Sequence, residues 1–427
     1  MKSMNNLINR RPFKLSATGK ISATLLLLMI SLGAQAAPTD STQVKKAQQI
    51  IEGIKHKYAP DKRSEVANVQ LLQAEPLRFS IETTKPAMIA EIRTALAGSS
   101  LKADIQADTL PSKALNGKIY GVANLSVTNN RGMPGNASEM VTQMLLGSPV
   151  DVLKKQRGYY LVRSPDGYLS WVDASGIVTM DKAGMDSWQK SAKVIYTTQY
   201  GHAFQQPTSK SAPVSDLVAG NILQVKGEEK GFYKVSFPDQ RVGYIAKAEA
   251  SDFKQWLKRP DPDAAKILAT AKTLMGVPYL WGGTSIKGVD CSGFTKTSYF
   301  LNGVIIPRDA SQQALVGQEV DIYDADSVSY AKCLQNLKAG DLLFFSPGMN
   351  QGKQARITHT AIYMGDGQFI ESAGLVKIST LDPKISANDD HNLKRLVKAR
   401  RMLNNIGSPE ITRVRSNAYY LQTKEHE

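Results

Sequence analysis

Two stretches of this chain repeat one another at a fixed offset of 73 residues, and no other feature narrows the fold as far. Gly147, Gly158-Tyr159-Tyr160-Leu161-Val162, Pro165-Asp166 and Trp171-Val172 form one copy. Gly220, Gly231-Phe232-Tyr233-Lys234-Val235, Pro238-Asp239 and Tyr244-Ile245 form the other. Alternating apolar positions (Val150 and Val152, then Leu223 and Val225) are cut by Gly and Pro-Asp turns, which is a strand and hairpin pattern. Each copy therefore reads as a short all-β barrel, over 116–182 and 190–252, and the pair as a duplication.

A chain of 427 residues has room for about three or four domains at roughly 100–150 residues each. With 42% hydrophobic residues and 2 Cys, it is neither collagen-like, nor a disulfide scaffold, nor wholly disordered. The net charge of +15 suits nucleic acid, an anionic membrane or an anionic cell wall equally.

The N-terminus decides among these. Arg10, Arg11, Lys14 and Lys20 precede an apolar run from Ile21 to Leu32, and Ala34-Gln35-Ala36 follows. A basic flank, a short apolar core and an A-x-A site make residues 1–36 a secretory signal peptide. No cysteine near the cleavage site offers a lipid attachment point, so no stable membrane anchor is expected after cleavage. The leader holds five basic residues and no acidic one, so its removal takes five from the charge surplus. The expected location is secreted or periplasmic, in a bacterial envelope. Nucleic acid is excluded as a partner, and an anionic wall polymer fits better.

Between the leader and the repeats, Thr42–Tyr58 reads as a helix, Ala67–Gln73 and Leu77–Thr83 as strands, and Pro86–Ala97 as a second helix. These make a small α+β module over 38–115. Lys254 to Pro262 reads as a charged connector. A mixed helix and strand pattern follows over 260–403, and 404–427 has little apolar periodicity and reads as a tail.

The chemistry sits in that third region. Gly276-Val277-Pro278-Tyr279-Leu280-Trp281-Gly282-Gly283 leads to Gly288-Val289-Asp290-Cys291-Ser292-Gly293-Phe294. Asp290 is a good N-cap for a helix from Ser292 to Leu301, which puts Cys291 in its first turn. Unpaired N–H groups and the positive end of the helix dipole there favour a thiolate, the nucleophilic form. Cys333, the other cysteine, reads as a buried thiol. A thiolate needs a base. His359 lies in a β-like run that Gly365-Asp366-Gly367 turns into a second, Gln368 to Ser372. Glu371 is nearly symmetric with His359 about that turn. It is therefore expected as its cross-strand neighbour, orienting the imidazole as the third member of a triad does.

The segment from about Asp263 to Arg401 resembles the NlpC/P60 cysteine peptidases. The resemblance rests on the Tyr279–Gly283 loop, Asp290-Cys291-Ser292-Gly293-Phe294, Pro307-Arg308-Asp309-Ala310-Ser311, Leu337–Phe345 and Thr358-His359. The upstream copies resemble bacterial SH3-like (SH3b) domains. This implies an α+β chain with a papain-like NlpC/P60 catalytic domain, preceded by two SH3-like β-barrels and the small N-terminal α+β module. It also implies similarity to γ-D-glutamyl-L-diamino-acid endopeptidases acting on peptidoglycan stem peptides or muropeptides.

Carried onto matching positions, the resemblance makes Cys291 the nucleophile and His359 the base. The Cys291 backbone N–H would serve the oxyanion hole. It places Asp290 and Ser292 in the same pocket and Ser311 near the substrate. In the SH3b-bearing subgroup the first SH3b domain closes one end of the cleft, where acidic and tyrosine side chains hold the free amine of L-Ala. Tyr168 and Glu139 are the residues expected there. The third catalytic position is usually His, sometimes Asn or Gln, and here it is Glu371. No cofactor is expected, and no His/Cys/Asp cluster has metal-ligand spacing. The competing expectations are a wall-binding protein whose catalytic domain is weak or inactive, and an amidase cut at another bond.

Overall fold

The computed structural model describes residues 41–385 and 390–421. The leader expected over 1–36 lies outside the described residues. Among those described, no helix is long and apolar enough to cross a membrane.

The first module has helix Ser41–Tyr58, strands Ala67–Ala74 and Leu77–Thr83, helix Pro86–Gly98 and strand Ala103–Thr109. Leu77–Thr83 alternates strictly between buried and half-buried positions, so one face meets the core and the other meets water. Phe79 and Ile81 on that face pack against Ala47 and Ile51 of the first helix and Met88, Ile92 and Leu96 of the second. The third strand was not anticipated. Ala103–Thr109 runs parallel to Leu77–Thr83 at the sheet edge, and its Ala-Asp-Ile-Gln-Ala-Asp-Thr sequence is too polar to announce a strand.

The repeat becomes two seven-stranded antiparallel sheets, one from Tyr120 to Met180 and the other from Lys193 to Asp252. The 73-residue offset survives in detail. The Pro149–Gln156/Tyr159–Arg163 hairpin turns at Arg157 (φ 51°) and Gly158 (φ 80°), and the Ile222–Glu229/Phe232–Ser236 hairpin at Lys230 (φ 49°) and Gly231 (φ 80°). A two-residue turn with both φ positive matches the strand twist and favours glycine second, which is why that glycine recurs. Each hairpin also carries a bulge at the same place, Val152/Lys154 in one and Val225/Gly227 in the other.

The last unit is built on a six-stranded antiparallel sheet. Its order is Gln318–Glu319, Leu396–Arg401, Leu342–Phe345, His359–Gly365, Gln368–Ala373, Leu375–Thr380. Helix Cys291–Phe300 packs across it, its Phe294 in one core with Leu342, Phe344, Ile362 and Ile370.

Two expectations are corrected. The connector from Lys254 begins inside a short helix, Phe253–Leu257, capped by Asp252 and with Phe253 and Trp256 buried. The stretch after Asn404 is not a free tail over its described length. Thr412–Arg413 pairs with Val304–Ile305. Val414 and Tyr420 are buried with Ile195, Ile222, Trp256 and Ile305, and the Tyr419 hydroxyl donates to Asp151 (2.6 Å). Its apolar residues serve three different neighbours, so they carry no single period for a sequence pattern to reveal.

Candidate active site

Asp290 caps helix Cys291–Phe300 through the Gly293 N–H (2.6 Å), leaving Cys291 as the first helical residue, 7% exposed. Gly293 has to be glycine: a Cβ there would come within 1.9 Å of the Gly283 carbonyl oxygen. The glycine-rich loop thus packs directly against the first turn.

A second guanidine-centred network fixes that turn. Arg308 is fully buried. It donates from Nη1 to Asp290 Oδ1 (3.1 Å) and Ser292 Oγ (2.9 Å), from Nη2 to Asp290 Oδ2 (2.6 Å), and from Nε to Thr142 Oγ1 (2.8 Å). Asp290 Oδ2 also accepts the Gly282 N–H (2.8 Å). Asp290 and Ser292, expected to line the substrate pocket, are buried and spend their polar atoms here. Through these bonds they hold the Cys291 turn in place. Thr142 belongs to the first seven-stranded sheet, so that sheet is tied through Arg308 to the Cys291 helix. The Gln143 side chain extends the contact by accepting the Thr284 N–H (2.9 Å).

His359 opens strand His359–Gly365, and Glu371 lies on the adjacent strand. The two were expected as cross-strand neighbours on one face. The turn pairs Gly365 with Gln368, and a bulge between Tyr363 and Gly365 then sets Glu371 opposite Ala361 instead of Ile362, which brings it diagonally to His359 on one face. The contact is still made: His359 Nε2 lies 2.6 Å from Glu371 Oε2. With Nε2 on the carboxylate, Nδ1 is the ring nitrogen left for Cys291. Ser379 Oγ donates to the other carboxylate oxygen, Oε1 (2.6 Å).

Burial disfavours the His359 imidazolium. Hydrogen bonds to Cys291 and Glu371, and their charges, outweigh it and lift the pKa from 6.5 to about 9. Burial likewise opposes the Glu371 carboxylate, but His359, Ser379 and Lys377 hold its pKa below the ordinary value. The signs fix the pH window. The raised histidine stabilises the fold fully below pH 6.5 and loses that contribution as pH rises through about 9. The lowered carboxylate contributes above its ordinary 4.5 and is lost on acidification. Glu371→Gln removes the counter-charge. The alkaline limb of the pH–rate profile is expected to move from about 9 towards 6.5, with a rate loss of about 10²- to 10⁴-fold. An unmoved limb in a stopped assay across pH 5–10 would exclude Glu371 as the partner of His359.

Two residues of the site were not singled out by sequence reasoning. Tyr279 is pushed above its ordinary pKa by burial and then by the charges of Cys291 and Asp290, which places its phenol beside the thiol. Arg308 stood in the Pro307–Ser311 motif but was given no role of its own, because its partners Asp290 and Thr142 are brought to it only by the fold. Cys333 lies in the core on the sheet's opposite side, free and with its thiol pushed up to about 12 by burial. Cys291 is also free.

The remaining expected residues gather at one end. Ser311 Oγ accepts from Arg63 Nη1 (2.8 Å), and the Tyr168 hydroxyl donates to Asp309 Oδ2 (3.2 Å). Tyr168 and Glu139 line one cleft of about 780 Å³ between the first module and the first seven-stranded sheet. Tyr168 and Ser311 are linked through Asp309 and Arg63, whose Nη1 bonds both Asp309 Oδ2 (2.9 Å) and Ser311, while Glu139 stands exposed on the same cleft. Among the described residues, no group of three or more His, Cys, Asp and Glu could hold a metal ion.

Comparison with known proteins matches residues 276–397 to the NlpC/P60 family and residues 131–177 to a bacterial dipeptidyl-peptidase SH3 domain. The chain is 31% identical over 242 residues to a γ-D-glutamyl-L-lysine dipeptidyl-peptidase of Bacillus subtilis, covering 54% of this chain and 71% of that one. It is 29% identical over 245 residues to the Bacillus cereus protein of the same name (56% and 68%). A crystal structure of an NlpC/P60 family protein from Bacillus cereus superposes with a TM-score of 0.55 at 23% identity. It covers 66% of this chain and 99% of that one, and so shares the fold.

Proposed function

The chain belongs to the NlpC/P60 family, and from that membership we propose that it is a cysteine peptidase hydrolysing the bond between γ-D-Glu and the diamino acid of peptidoglycan stem peptides. The observation that carries this reading is the His359–Glu371 contact of 2.6 Å beside Cys291, on a helix whose first turn is locked by Arg308. An inert wall-binding domain has no need of a buried imidazole raised to about 9.

The chemistry follows from the groups present. The Cys291 thiolate attacks the γ-carbonyl carbon of D-Glu, and the resulting oxyanion takes the Cys291 backbone N–H at the helix N-terminus. As the C–N bond breaks, protonated His359 gives its proton to the departing amine of the diamino acid, leaving a γ-thioester. Water then attacks that thioester, His359 takes the proton, and the acyl portion leaves as a free acid. Glu371 holds Nε2 throughout, so Nδ1 faces the reacting atoms.

The same proposal assigns 116–182 and 190–252 to two SH3b domains, 260–403 to the catalytic domain and 38–115 to an accessory module. Ser311, Tyr168 and Glu139 are assigned to the substrate's amino end. A leader over 1–36 would direct the protein to the periplasm or beyond. The test is incubation of the full chain with L-Ala-γ-D-Glu-meso-diaminopimelate and identification of products by mass. L-Ala-D-Glu plus free diaminopimelate is the expected result. An intact tripeptide, or cleavage only between muramic acid and L-Ala in a sugar-bearing substrate, would refute it.

A further inference from the structure

The loop between the first helix and first strand of the N-terminal module reaches the catalytic unit and presents Arg63 to it. The guanidinium is gripped along one edge by Asp61: Nε donates to Oδ1 (2.8 Å) and Nη2 to Oδ2 (2.8 Å). Asp61 is held in turn by the Arg63 backbone N–H (2.9 Å) and by Gln312 Nε2 (2.9 Å). A planar guanidinium held along one edge has its third nitrogen aimed by that grip. That nitrogen, Nη1, donates to Asp309 Oδ2 (2.9 Å) and Ser311 Oγ (2.8 Å), and the Tyr168 hydroxyl donates to the same Asp309 oxygen (3.2 Å). The loop itself is pinned to the first seven-stranded sheet. The Arg63 carbonyl accepts the Leu169 N–H (2.7 Å), and Val66 is buried with Leu161 and Trp171.

We infer that Arg63 is an autoinhibitory plug: its guanidinium occupies the place of the substrate's L-Ala ammonium and competes with it for Asp309 and Ser311. The inference rests on the function proposed above, which puts the substrate's amino end at Ser311 and Tyr168. The argument is one of matching chemistry. An ammonium brings a positive charge and N–H donors, and it seeks a carboxylate and other oxygen acceptors. Nη1 brings the same charge and donors to the same two side chains. Two cations at contact distance repel, so the sites are filled by one or the other. The cleft of about 780 Å³ behind the plug carries Lys55, Lys62 and Lys154 against Glu65 and Glu139. It therefore offers a withdrawn guanidinium no excess of negative charge, and Asp309 remains its better partner. Asp61 and Arg63 lie outside both family matches, 131–177 and 276–397, so this brake belongs to the N-terminal module and not to the shared catalytic machinery.

The experiment measures KM and kcat of the full chain and of two variants for L-Ala-γ-D-Glu-meso-diaminopimelate. A site that is free for only a fraction of the time binds its ligand more weakly by that fraction. Arg63→Ala and Arg63→Met are therefore expected to lower KM by about tenfold or more, with kcat held within about twofold of wild type. Arg63→Met keeps an unbranched stem and loses every donor, so it carries the test if the alanine variant folds poorly. Loss of a merely structural contact would raise KM or lower kcat. A second readout uses L-alaninamide, which carries the same ammonium: it is expected to inhibit both variants at a lower concentration than wild type. A KM that is unchanged or raised in both variants overturns the inference and leaves the proposed function intact. Cleavage of the tripeptide by neither wild type nor variant refutes the proposed function and takes this inference with it.

Discussion

Cys291→Ala stops release of the dipeptide, with a loss on the order of 10⁴-fold or more, as removing a covalent nucleophile does elsewhere. The fold should tolerate the change. The residue is the first of its helix, the cap is made by Asp290, and alanine is the best helix former. The measurement is a single-turnover assay with product detection by mass, paired with a thermal melt. A variant that melts like wild type yet keeps more than about a hundredth of its activity would place the nucleophile elsewhere, since the loss from a true nucleophile is far larger. His359 should be probed in parallel, because members of one catalytic unit lose activity together rather than additively.

The second large effect is structural. Arg308→Met strips a fully buried ion pair of its cation and leaves the Asp290 carboxylate buried beside Ser292. Breaking one side of such a pair costs about 3–5 kcal/mol, whereas replacing both partners by groups that suit each other costs much less. Arg308→Met should therefore melt well below wild type. The double variant Arg308→Met, Asp290→Asn should regain stability, because asparagine can still cap the helix without a stranded charge. A single variant within about 1 kcal/mol of wild type would mean that water or another cation relieves Asp290, contrary to the burial seen here. Activity is expected to fall in both variants, since Arg308 also fixes Ser292 beside the nucleophile and ties Thr142 of the first sheet to the catalytic unit.

Much of this was legible in the sequence because it rests on local rules. The helix caps, the Asp366-Gly367 turn and the two Gly-second hairpins follow from backbone requirements that a few residue types meet. Cys291, His359 and Glu371 fall together because a cap, a turn and a strand period place them. The bulge after Tyr363 was not legible, since inserting one residue leaves no compositional trace, yet it sets the register that puts Glu371 on the His359 face. Arg308, Arg63 and Tyr279 were missed for a different reason. Arg63 meets Ser311 across 248 residues and Arg308 meets Thr142 across 166, while Tyr279 and Arg308 reach the Asp290–Cys291 turn only through the fold of the intervening loops.

The segment from Asn404 to Leu421 also has a kinetic meaning. It follows in the chain every element that it clasps: a strand edge at Val304–Ile305, the apolar pocket around Ile195 and Ile222, and Asp151 at a separation of 268 residues. Units that emerge first can fold as they appear, but this clasp closes only after all of them are made. Closing contacts of such long range is slow. During biogenesis this clasp is therefore closed last, onto units that contacts such as Arg308–Thr142 can already join.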